Sequence, residues 1–540
     1  MKSKLSSLGI ILVLLTFTWV RLTLINFVPI WDGASITNCI LNSLKPKFNL
    51  LELNCYHPSI GFLSFFAFLQ TIDWGNQYLL GIVNIFIGLL GIYAFNKIVV
   101  YLFTTHIRPD QKVKPIHIAQ TTIITMLLAF NPLFFANSLT ISLDFGVTVF
   151  FLIAFYSLLY GFMFQTIIAL VLLIFSKETG MILYFALLIG AVFINLKDNP
   201  KGQTILSAFK NSFVYILPLC IFATYFIYQQ QVNSQTILWS SRPVLLFDLH
   251  RLSRLWADRS FTRIIQTFFL DFHWIYTSII ISFVAISFKS FFTIRSTFRS
   301  NFLWNAHKVW LIIILAFILY AFPVFALNTY TLPRYILPLI PLLILLSAFS
   351  LNKLIKTDLK RLCLLLCVLF LSTIQIFRTI DPISKFIFGT FNFGKHSMLL
   401  MTAYAHECCG IAGKDQLAYN AEFVSIHFLI NKLYQEIQLT PKITLFIGNL
   451  DAAELFLPAD NNLQRTFKTT EITVPTVYLT TDLGYISPDR LPKQAYFVYL
   501  PWSDNEQEEL TRVNKFYAVD KRRTVDYYGY QIYYYPLTRK

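Results

Sequence analysis

The chain has 540 residues, of which 56% are hydrophobic and only 13% are charged, and its mean hydropathy is +0.59. Soluble globular domains carry about 25% charged residues, so this composition excludes a soluble globular protein and predicts a polytopic membrane protein. The net charge of +16 occurs without zinc-finger, RNP or P-loop spacing, so we expect no nucleic-acid partner.

Eleven apolar stretches are predicted to cross the membrane, since a spanning helix needs about 20 apolar residues. They are 8–28, 78–103, 119–137, 145–163, 165–176, 180–195, 212–229, 272–288, 309–327, 334–352 and 361–378. Another apolar stretch, 59–72, has 14 residues. It is too short to cross and is predicted to be a helix at the membrane surface.

The placement of basic residues predicts how these spans are oriented, because Lys and Arg accumulate in short cytoplasmic loops. Alternate loops, starting from the N-terminus, contain 16 Lys or Arg residues against three Asp residues. We therefore predict a cytoplasmic N-terminus and, after an odd number of spans, an outer location for everything beyond Arg378. The outer segments then include a first loop, 29–77, and a long loop, 230–271. The chain has no Asn-x-Ser/Thr sequon, which favours a bacterial inner membrane.

The sequence changes character after the last predicted span, which divides the chain into a membrane domain, 1–378, and an extracytoplasmic domain, 379–540. The second domain is nearly neutral, with 16 Lys or Arg and 17 Asp or Glu residues. Strands are predicted at 443–448, 476–481, 495–500 and 530–535, and helices at 397–437, 451–456 and 504–516. The alternation of strands and helices predicts an α/β domain with a largely parallel sheet.

Ionisable residues gather at the predicted outer ends of the spans. They are Asp32, His57, Asp144, Lys177, Glu178, Arg242 and Arg334, the last followed by Tyr335. Charge at the edge of the hydrocarbon costs free energy, and its recurrence at one membrane face indicates a wet cavity. Structural explanations compete with this one: Asp144 is also suited to capping the helix that follows it, and Glu178 to pairing with its neighbour Lys177.

The order of these motifs resembles the GT-C membrane glycosyltransferases, in the branch of protein O-mannosyltransferases and lipid A aminoarabinose transferases. The motifs are Trp31-Asp32, His57-Pro58, Asn131-Pro132 through Asp144, Lys177-Glu178-Thr179-Gly180 and Arg334-Tyr335. The resemblance implies a GT-C-like fold, a polyprenyl-phosphate sugar as donor, and a lipid, glycan or protein as acceptor. Many members carry two acids at the first-loop site, whereas here Gly33 follows Asp32.

Inverting transfer from a sugar phosphate to a hydroxyl needs a base for the acceptor proton and cations for the departing phosphate. Asp32 is predicted to be that base. Asp144 is expected to orient a partner of Asp32, to bind sugar hydroxyls or to help hold a cation. Lys177 and Arg334 are predicted to contact the donor phosphate.

The remaining residues have supporting roles in this prediction. Tyr335 lies beside Arg334, Arg242 is an additional candidate for the phosphate, and His57 is expected to form a hydrogen bond that shapes the first loop. No cofactor is required by the sequence. Use of a divalent cation is left open, as is a disulfide between Cys39 and Cys55, which is chemically allowed in an outer loop.

Three other functions compete with the transferase. A transporter or lipid flippase would also be polytopic and basic at one face, but such proteins commonly contain internal repeats, and the sequence shows none. Arg21 is the notable charge inside a span, and there is no chain of buried acids suited to proton-coupled transport. A catalytically inactive scaffold, and a lipid-linked glycan polymerase or ligase, are the further alternatives.

Overall fold

The computed structural model describes most of the helical part of the chain and the core of the C-terminal region. The described residues are 2–25, 32–44, 53, 55, 57–106, 114–195, 210, 212–232, 266–293, 304–324, 333–377, 383, 386, 390–393, 396–399, 429–438, 443–448, 476–500, 506–527 and 530–540. Helices dominate the described residues as far as Phe377, and all the described strands lie from Thr390 onward. The protein is therefore mostly helical with a C-terminal sheet region, which confirms the predicted fold class in this coarse form.

The helices of the first part follow the predicted apolar stretches closely. They are α1 (Lys2–Leu22), α2 (Asp32–Ser43), α3 (Ile60–Ile72), α4 (Gln77–Val100), α5 (Pro115–Ala129), α6 (Pro132–Asn137), α7 (Leu143–Tyr160), α8 (Met163–Ile174), α9 (Gly180–Asn195), α10 (Leu217–Val232), α11 (Trp274–Thr293), α12 (Trp304–Phe322), α13 (Leu339–Leu354) and α14 (Asp358–Phe377). By length and composition, two described helices suit a membrane crossing, Tyr78–Phe103 and Leu143–Tyr160, and nine others are apolar but shorter. The count of eleven spans stays a prediction.

One predicted span, 119–137, is interrupted. The stretch 119–137 is not a single helix, because α5 ends at Ala129 and α6 begins at Pro132. The side chain of Asn131 accepts hydrogen bonds from the backbone N–H groups of Leu133 and Phe134, and proline is favoured at the first position of a helix. Hydropathy alone cannot detect this break, since the residues on both sides of it are apolar.

Helix α7 lies at the centre of the helical part, and nearly all of its side chains are buried. Gly146 lets α3 pack directly against it, because a Cβ atom at this position would lie 2.7 Å from the ring of Phe62. Phe62 and Phe66 of α3 are fully buried, whereas Phe68 and Ile72 are exposed. The short helix expected at 59–72 is therefore present, with one face packed against the protein and apolar side chains exposed on the other, and its place at a membrane surface stays a prediction.

The question of the two outer-loop cysteines is answered by the structure. Cys39, on α2, and Cys55 form a disulfide across 16 residues of sequence. This bond ties α2 to the segment that leads into His57 and α3. It therefore limits how far the first and second parts of the loop 29–77 can move apart.

The C-terminal region contains a small hairpin and a larger sheet. The hairpin pairs β1 (Thr390–Phe393) with β2 (His396–Leu399), and the sheet contains β3 (Thr444–Ile447), β4 (Thr476–Leu479), β5 (Gln494–Tyr499), β6 (Tyr517–Val519), β7 (Arg523–Tyr527) and β8 (Tyr530–Arg539). The order in the sheet is β4-β3-β5-β8-β6, with β7 also paired to β8. The prediction of a helix over 397–437 is wrong at its start, where β2 lies, and among the described residues the helix covers 429–436.

The prediction of a largely parallel sheet is also wrong. Strand β3 is parallel to β4 and to β5, but β8 pairs antiparallel with β5, β6 and β7. Two residues separate β7 from β8, which is enough for an antiparallel hairpin and too few for a parallel crossover. The predicted helix 504–516 is present as α15 (Glu506–Val513), and the one at 451–456 lies outside the described residues.

Candidate active site

Asp144 is the centre of the candidate site. It is the second residue of α7, and its side chain is only 2% exposed. The Nζ atom of Lys177 donates to both carboxylate oxygens at 2.9 Å, and the Nε atom of Arg334 lies 3.8 Å from one of them. Because these oxygens take side-chain cations and Ser142 occupies the capping position, the explanation of Asp144 as an N-cap is wrong.

A tight turn places Lys177 against Asp144. Lys177 lies between α8 and α9, and the N–H of Gly180 donates to its carbonyl at 2.9 Å. A Cβ atom at Gly180 would lie 2.2 Å from the carbonyl oxygen of Leu173, so the turn requires glycine there. The N–H of Gly61 on α3 also bonds the carbonyl of Phe175 at 2.7 Å, which fixes the turn from the opposite side.

Arg334 and Tyr335 approach from a third element, a short 3-10 turn at Pro333–Ile336 that precedes α13. The ring centroid of Tyr335 lies 4.4 Å from Nζ of Lys177 and 5.5 Å from Cζ of Arg334. Cations within about 6 Å of an aromatic face are attracted by it. Asp144, Lys177, Arg334 and Tyr335, here called the Asp144 cluster, thus combine two cations with one carboxylate and retain one positive charge.

Lys177 is held in its charged form. Burial is the largest single effect and would lower the pKa of its ammonium group, but the charge and hydrogen bond of Asp144, together with Tyr335, hold the pKa above the ordinary lysine value. The second cation, Arg334, acts in the opposite direction without reversing the result. The cluster therefore carries fixed charge at neutral pH and is suited to stabilising an anionic group.

Glu178 does not pair with Lys177, so that expectation is wrong. Its carboxylate instead bonds Nδ1 of His57, at 2.8 Å and 3.1 Å for the two oxygens. Burial is the largest single effect and would raise the pKa of Glu178, but the hydrogen bond and charge of His57, with contributions from a backbone hydrogen bond and from Lys177, leave the pKa below the ordinary value. His57 thus forms a hydrogen bond that anchors the part of the first loop just before α3 to the turn carrying Lys177.

The beginning of α2 lies near the same place. A Cβ atom added at Gly33 would be 3.3 Å from Cβ of Thr140 and 3.6 Å from the backbone N of Ile141, so α2 starts against the turn that leads into α7 and Asp144. Asp32 is the first residue of α2, and its side chain lies outside what the structure describes. Arg242 falls in 233–265, which is also outside the described residues.

Two hydroxyl groups missed in the sequence lie beside the cluster. Tyr320 of α12 is fully buried and interacts electrostatically with Asp144 and Tyr335. Its hydroxyl and that of Thr179 are buried, and neither makes a hydrogen bond of normal geometry. A tyrosine near the end of an aromatic-rich apolar helix carries no distinguishing sequence signal, which is why Tyr320 escaped notice.

A metal site is not apparent in the part of the chain that the structure describes. No group of three or more His, Cys, Asp or Glu side chains there is arranged to hold an ion. The use of a divalent cation stays open.

Comparison with known proteins finds one weak structural similarity. No protein-family model matches the chain, and no curated protein matches it. Among solved structures, the chain is similar to the crystal structure of ArnT from Cupriavidus metallidurans in the apo state, with 12% sequence identity, coverage of 97% of both chains and a TM-score of 0.43. A likeness this loose assigns neither a family nor an activity to the chain.

Proposed function

We propose that the protein is an inverting glycosyltransferase that moves a sugar from a polyprenyl-phosphate donor to an acceptor hydroxyl at the outer face of a bacterial inner membrane. The observation that carries the proposal is the Asp144 cluster. It holds two cations around one buried carboxylate, next to the turn where α2 begins with Asp32. A site with surplus fixed positive charge is suited to a reaction in which a phosphate leaves.

In the proposed reaction, the acceptor oxygen attacks the anomeric carbon of the donor sugar. The bond between that carbon and the phosphate oxygen breaks with inversion, and the polyprenyl phosphate leaves with the bonding electron pair. The proton of the acceptor hydroxyl passes to the carboxylate of Asp32, which acts as general base.

The cations have the second role in this mechanism. Arg334 makes a planar two-pronged contact with the phosphate, and Lys177 supplies a point charge. Asp144 positions both of them, since its carboxylate contacts each. His57 and Glu178 support the site by fixing the loop that carries Lys177, and Arg242 is proposed as a further contact to the donor.

The proposed location is tested by reporter fusions that are active on one side of the membrane only. A fusion placed after Arg378 should report from the outer side, and a fusion to the N-terminus from the cytoplasmic side. A cytoplasmic signal after Arg378 would place the Asp144 cluster on the wrong side for a donor that is presented outside.

The reaction is tested by reconstituting the full-length protein in liposomes with labelled polyprenyl-phosphate sugars. Asp32→Asn should reduce transfer by about 10²–10⁴-fold, the usual loss for a positioned general base, and should leave donor binding nearly intact. Asp73→Asn is the matched control, because Asp73 is an exposed carboxylate in the same outer loop. Its transfer rate should equal that of the wild type.

The same liposomes distinguish the transferase from a transporter or flippase. A transferase forms a new glycosylated product and releases polyprenyl phosphate. Movement of the labelled lipid between leaflets with no new product would contradict the proposal and favour transport. Identification of the labelled product separates simple glycosyl transfer from the action of a polymerase or ligase.

A further inference from the structure

Arg21 lies at the end of α1 and is buried to an unusual degree for a charged side chain. It is only 1% exposed. One guanidinium nitrogen, Nη2, donates to the backbone carbonyl of Ser138 at 2.6 Å. A buried arginine normally pairs with a carboxylate or completes several hydrogen bonds, because an unpaired buried charge is costly.

The acceptor of this bond belongs to a polar turn between α6 and α7, covering 137–142. Asn84 of α4 donates to the carbonyl of Thr140 at 3.1 Å, and the hydroxyl of Ser142 donates to Asn137 at 2.8 Å. The start of α2 packs on the same turn. Three helices from different parts of the sequence therefore meet where Arg21 bonds Ser138.

The remaining guanidinium nitrogens of Arg21, Nε and Nη1, are buried. Neither makes a hydrogen bond within the part of the chain that the structure describes. If the only role of residue 21 were to hold the Ser138 carbonyl, a neutral amide would serve, as Asn84 does for Thr140. A retained positive charge with two unused donors indicates that an anionic group completes the arrangement.

The neighbouring side chains of α1 indicate where that anion comes from. Trp19 is 70% exposed and Leu15 and Leu22 are also exposed, and they form part of an apolar stripe along α1. Such a stripe suits contact with lipid acyl chains, and tryptophan is enriched at the level of the headgroups. Arg21 lies at the same level of α1 as Trp19 and Leu22 but on the buried face of the helix, beside this apolar stripe.

We propose that Arg21 and the turn 137–142 form an anion subsite for the phosphate of a lipid, separate from the Asp144 cluster. The unused N–H groups on Nε and Nη1 can each donate a charge-assisted hydrogen bond to an anionic oxygen. The subsite requires that α1 lies in a bilayer, and it does not depend on glycosyl transfer, so its test is a binding measurement and not an activity assay.

The test uses the full-length protein in dodecyl maltoside, a detergent without phosphate. The affinities for farnesyl phosphate and phosphatidylglycerol are measured, with farnesol and inorganic phosphate as reference ligands, together with the thermal midpoint of the ligand-free protein. Arg21→Gln keeps an amide for the Ser138 carbonyl but loses the charge. Lys97→Gln is the matched control, since Lys97 is a basic residue on another apolar helix whose ammonium lies over the ring of Tyr93.

Arg21→Gln should bind at least one of the two lipid phosphates about tenfold more weakly or worse, as expected for loss of a charge-assisted contact. Its ligand-free midpoint should equal or exceed that of the wild type, because the unpaired buried charge is gone. A purely structural anchor would show the opposite pattern, a lower midpoint with unchanged affinity. Lys97→Gln should leave both affinities unchanged.

Unchanged affinity of Arg21→Gln for both lipid phosphates would overturn the proposal, and so would dependence on Arg21 for inorganic phosphate alone. If the Gln variant does not fold, Arg21→Lys decides the matter. It keeps the charge but replaces the several N–H groups of the guanidinium by one ammonium group, so it should lose several-fold in affinity for the same lipid, and wild-type affinity would overturn the proposal. Dependence on farnesyl phosphate indicates a prenyl lipid, and dependence on phosphatidylglycerol indicates a bilayer lipid.

Discussion

Arg334 and Tyr335 of the Asp144 cluster lie just before α13. A similar group lies just after α13, where Asp358 is placed between His117 and Arg361. Nε2 of His117 is 3.2 Å from the carboxylate of Asp358, and Arg361 bonds the same carboxylate. Each group places one aspartate between two basic side chains. The 16 residues of α13 separate the two groups by about 24 Å, given a rise of 1.5 Å per residue.

The two groups are built in different ways. Asp358 is the first residue of α14, Arg361 follows it by one turn, and Gln120 of α5 donates to the Asp358 carbonyl. The N–H of Lys114 bonds His117 at the start of α5. These contacts close the ends of two helices, which is the ordinary use of polar side chains at helix termini.

The Asp144 cluster brings together one helix end and two separate turns, and its aspartate is far more buried. The carboxylate of Asp144 is 2% exposed, whereas that of Asp358 is 25% exposed. Two buried hydroxyls, on Tyr320 and Thr179, lie beside it and interact with each other. Burying charged side chains from distant parts of the chain costs free energy, and such an arrangement is typical of a functional site. The Asp358 group, in contrast, is accounted for by helix capping.

The largest expected difference between the two groups comes from neutralising each aspartate. Asp144→Asn leaves the buried Lys177 without its carboxylate, so we expect a loss of about 3–5 kcal/mol in the free energy of unfolding and a loss of transfer. Asp358→Asn also weakens the contact to a buried cation, Arg361, but the carboxylate it removes is 25% exposed, so we expect a smaller loss of about 1.5–3 kcal/mol and unchanged transfer. Unfolding in mixed detergent micelles and the transfer assay measure both effects. Equal losses of transfer in the two variants would remove the distinction.

A smaller effect is expected when the shape of a cation is changed but its charge is kept. Arg334→Lys should reduce transfer about tenfold, because a point charge cannot reproduce a planar contact with phosphate. Lys177→Ala should act in the same direction, and the double variant should depart from additivity by about 0.5–3 kcal/mol if both side chains contact one phosphate. Steady-state kinetics with labelled donor supply the measurement.

The matched change in the other group is Arg361→Lys, which should leave turnover at the wild-type level. If Arg334→Lys and Lys177→Ala both retain normal donor affinity and turnover, the positive charge of the Asp144 cluster serves only as an anchor. The transporter and scaffold alternatives would then gain support.

The hydrogen bond between His57 and Glu178 should make the free energy of unfolding depend on pH in the acidic range. The folded-state pKa of Glu178 lies below its ordinary value, so its contribution is present above the ordinary carboxyl pKa and is lost as the pH falls through the folded value. Glu178→Gln should remove about 1 kcal/mol at neutral pH and flatten this part of the acid-induced decline. Unfolding measured from neutral to acidic pH tests the expectation, and identical acid profiles for the variant and the wild type would contradict it.

The smallest effect is expected from His117→Asn in the Asp358 group. An asparagine retains a polar contact near the start of α5, so the free energy of unfolding should change by less than about 1 kcal/mol and transfer should be unaffected. A clear loss of transfer in this variant would mean that the two ends of α13 are functionally coupled.

Much of the helical part could be predicted from the sequence because its signal is local. An apolar run of sufficient length specifies a helix wherever it occurs in a membrane chain, and α9 begins and ends where its apolar run does, at Gly180 and Asn195. The break at Asn131-Pro132 was missed for the same reason, since a capping side chain interrupts the helix without interrupting the hydrophobicity. The residue types of the Asp144 cluster were also visible, because charges at the ends of apolar runs stand out.

The partners of those charges depend on packing between distant segments. Lys177 directly precedes the acidic Glu178 in sequence, yet it bonds Asp144, 33 residues earlier, because successive side chains on a tight turn point in different directions. In the same way, the pairing of β8 with three strands follows from which sheet edges the domain leaves available, and the approach of Tyr320 to Asp144 follows from how α12 packs. Local hydrophobicity and residue type therefore specify the secondary-structure elements and the chemical groups of this protein. Three-dimensional packing determines which charged side chains contact one another, because those contacts depend on burial and on distances between segments that are far apart in the sequence.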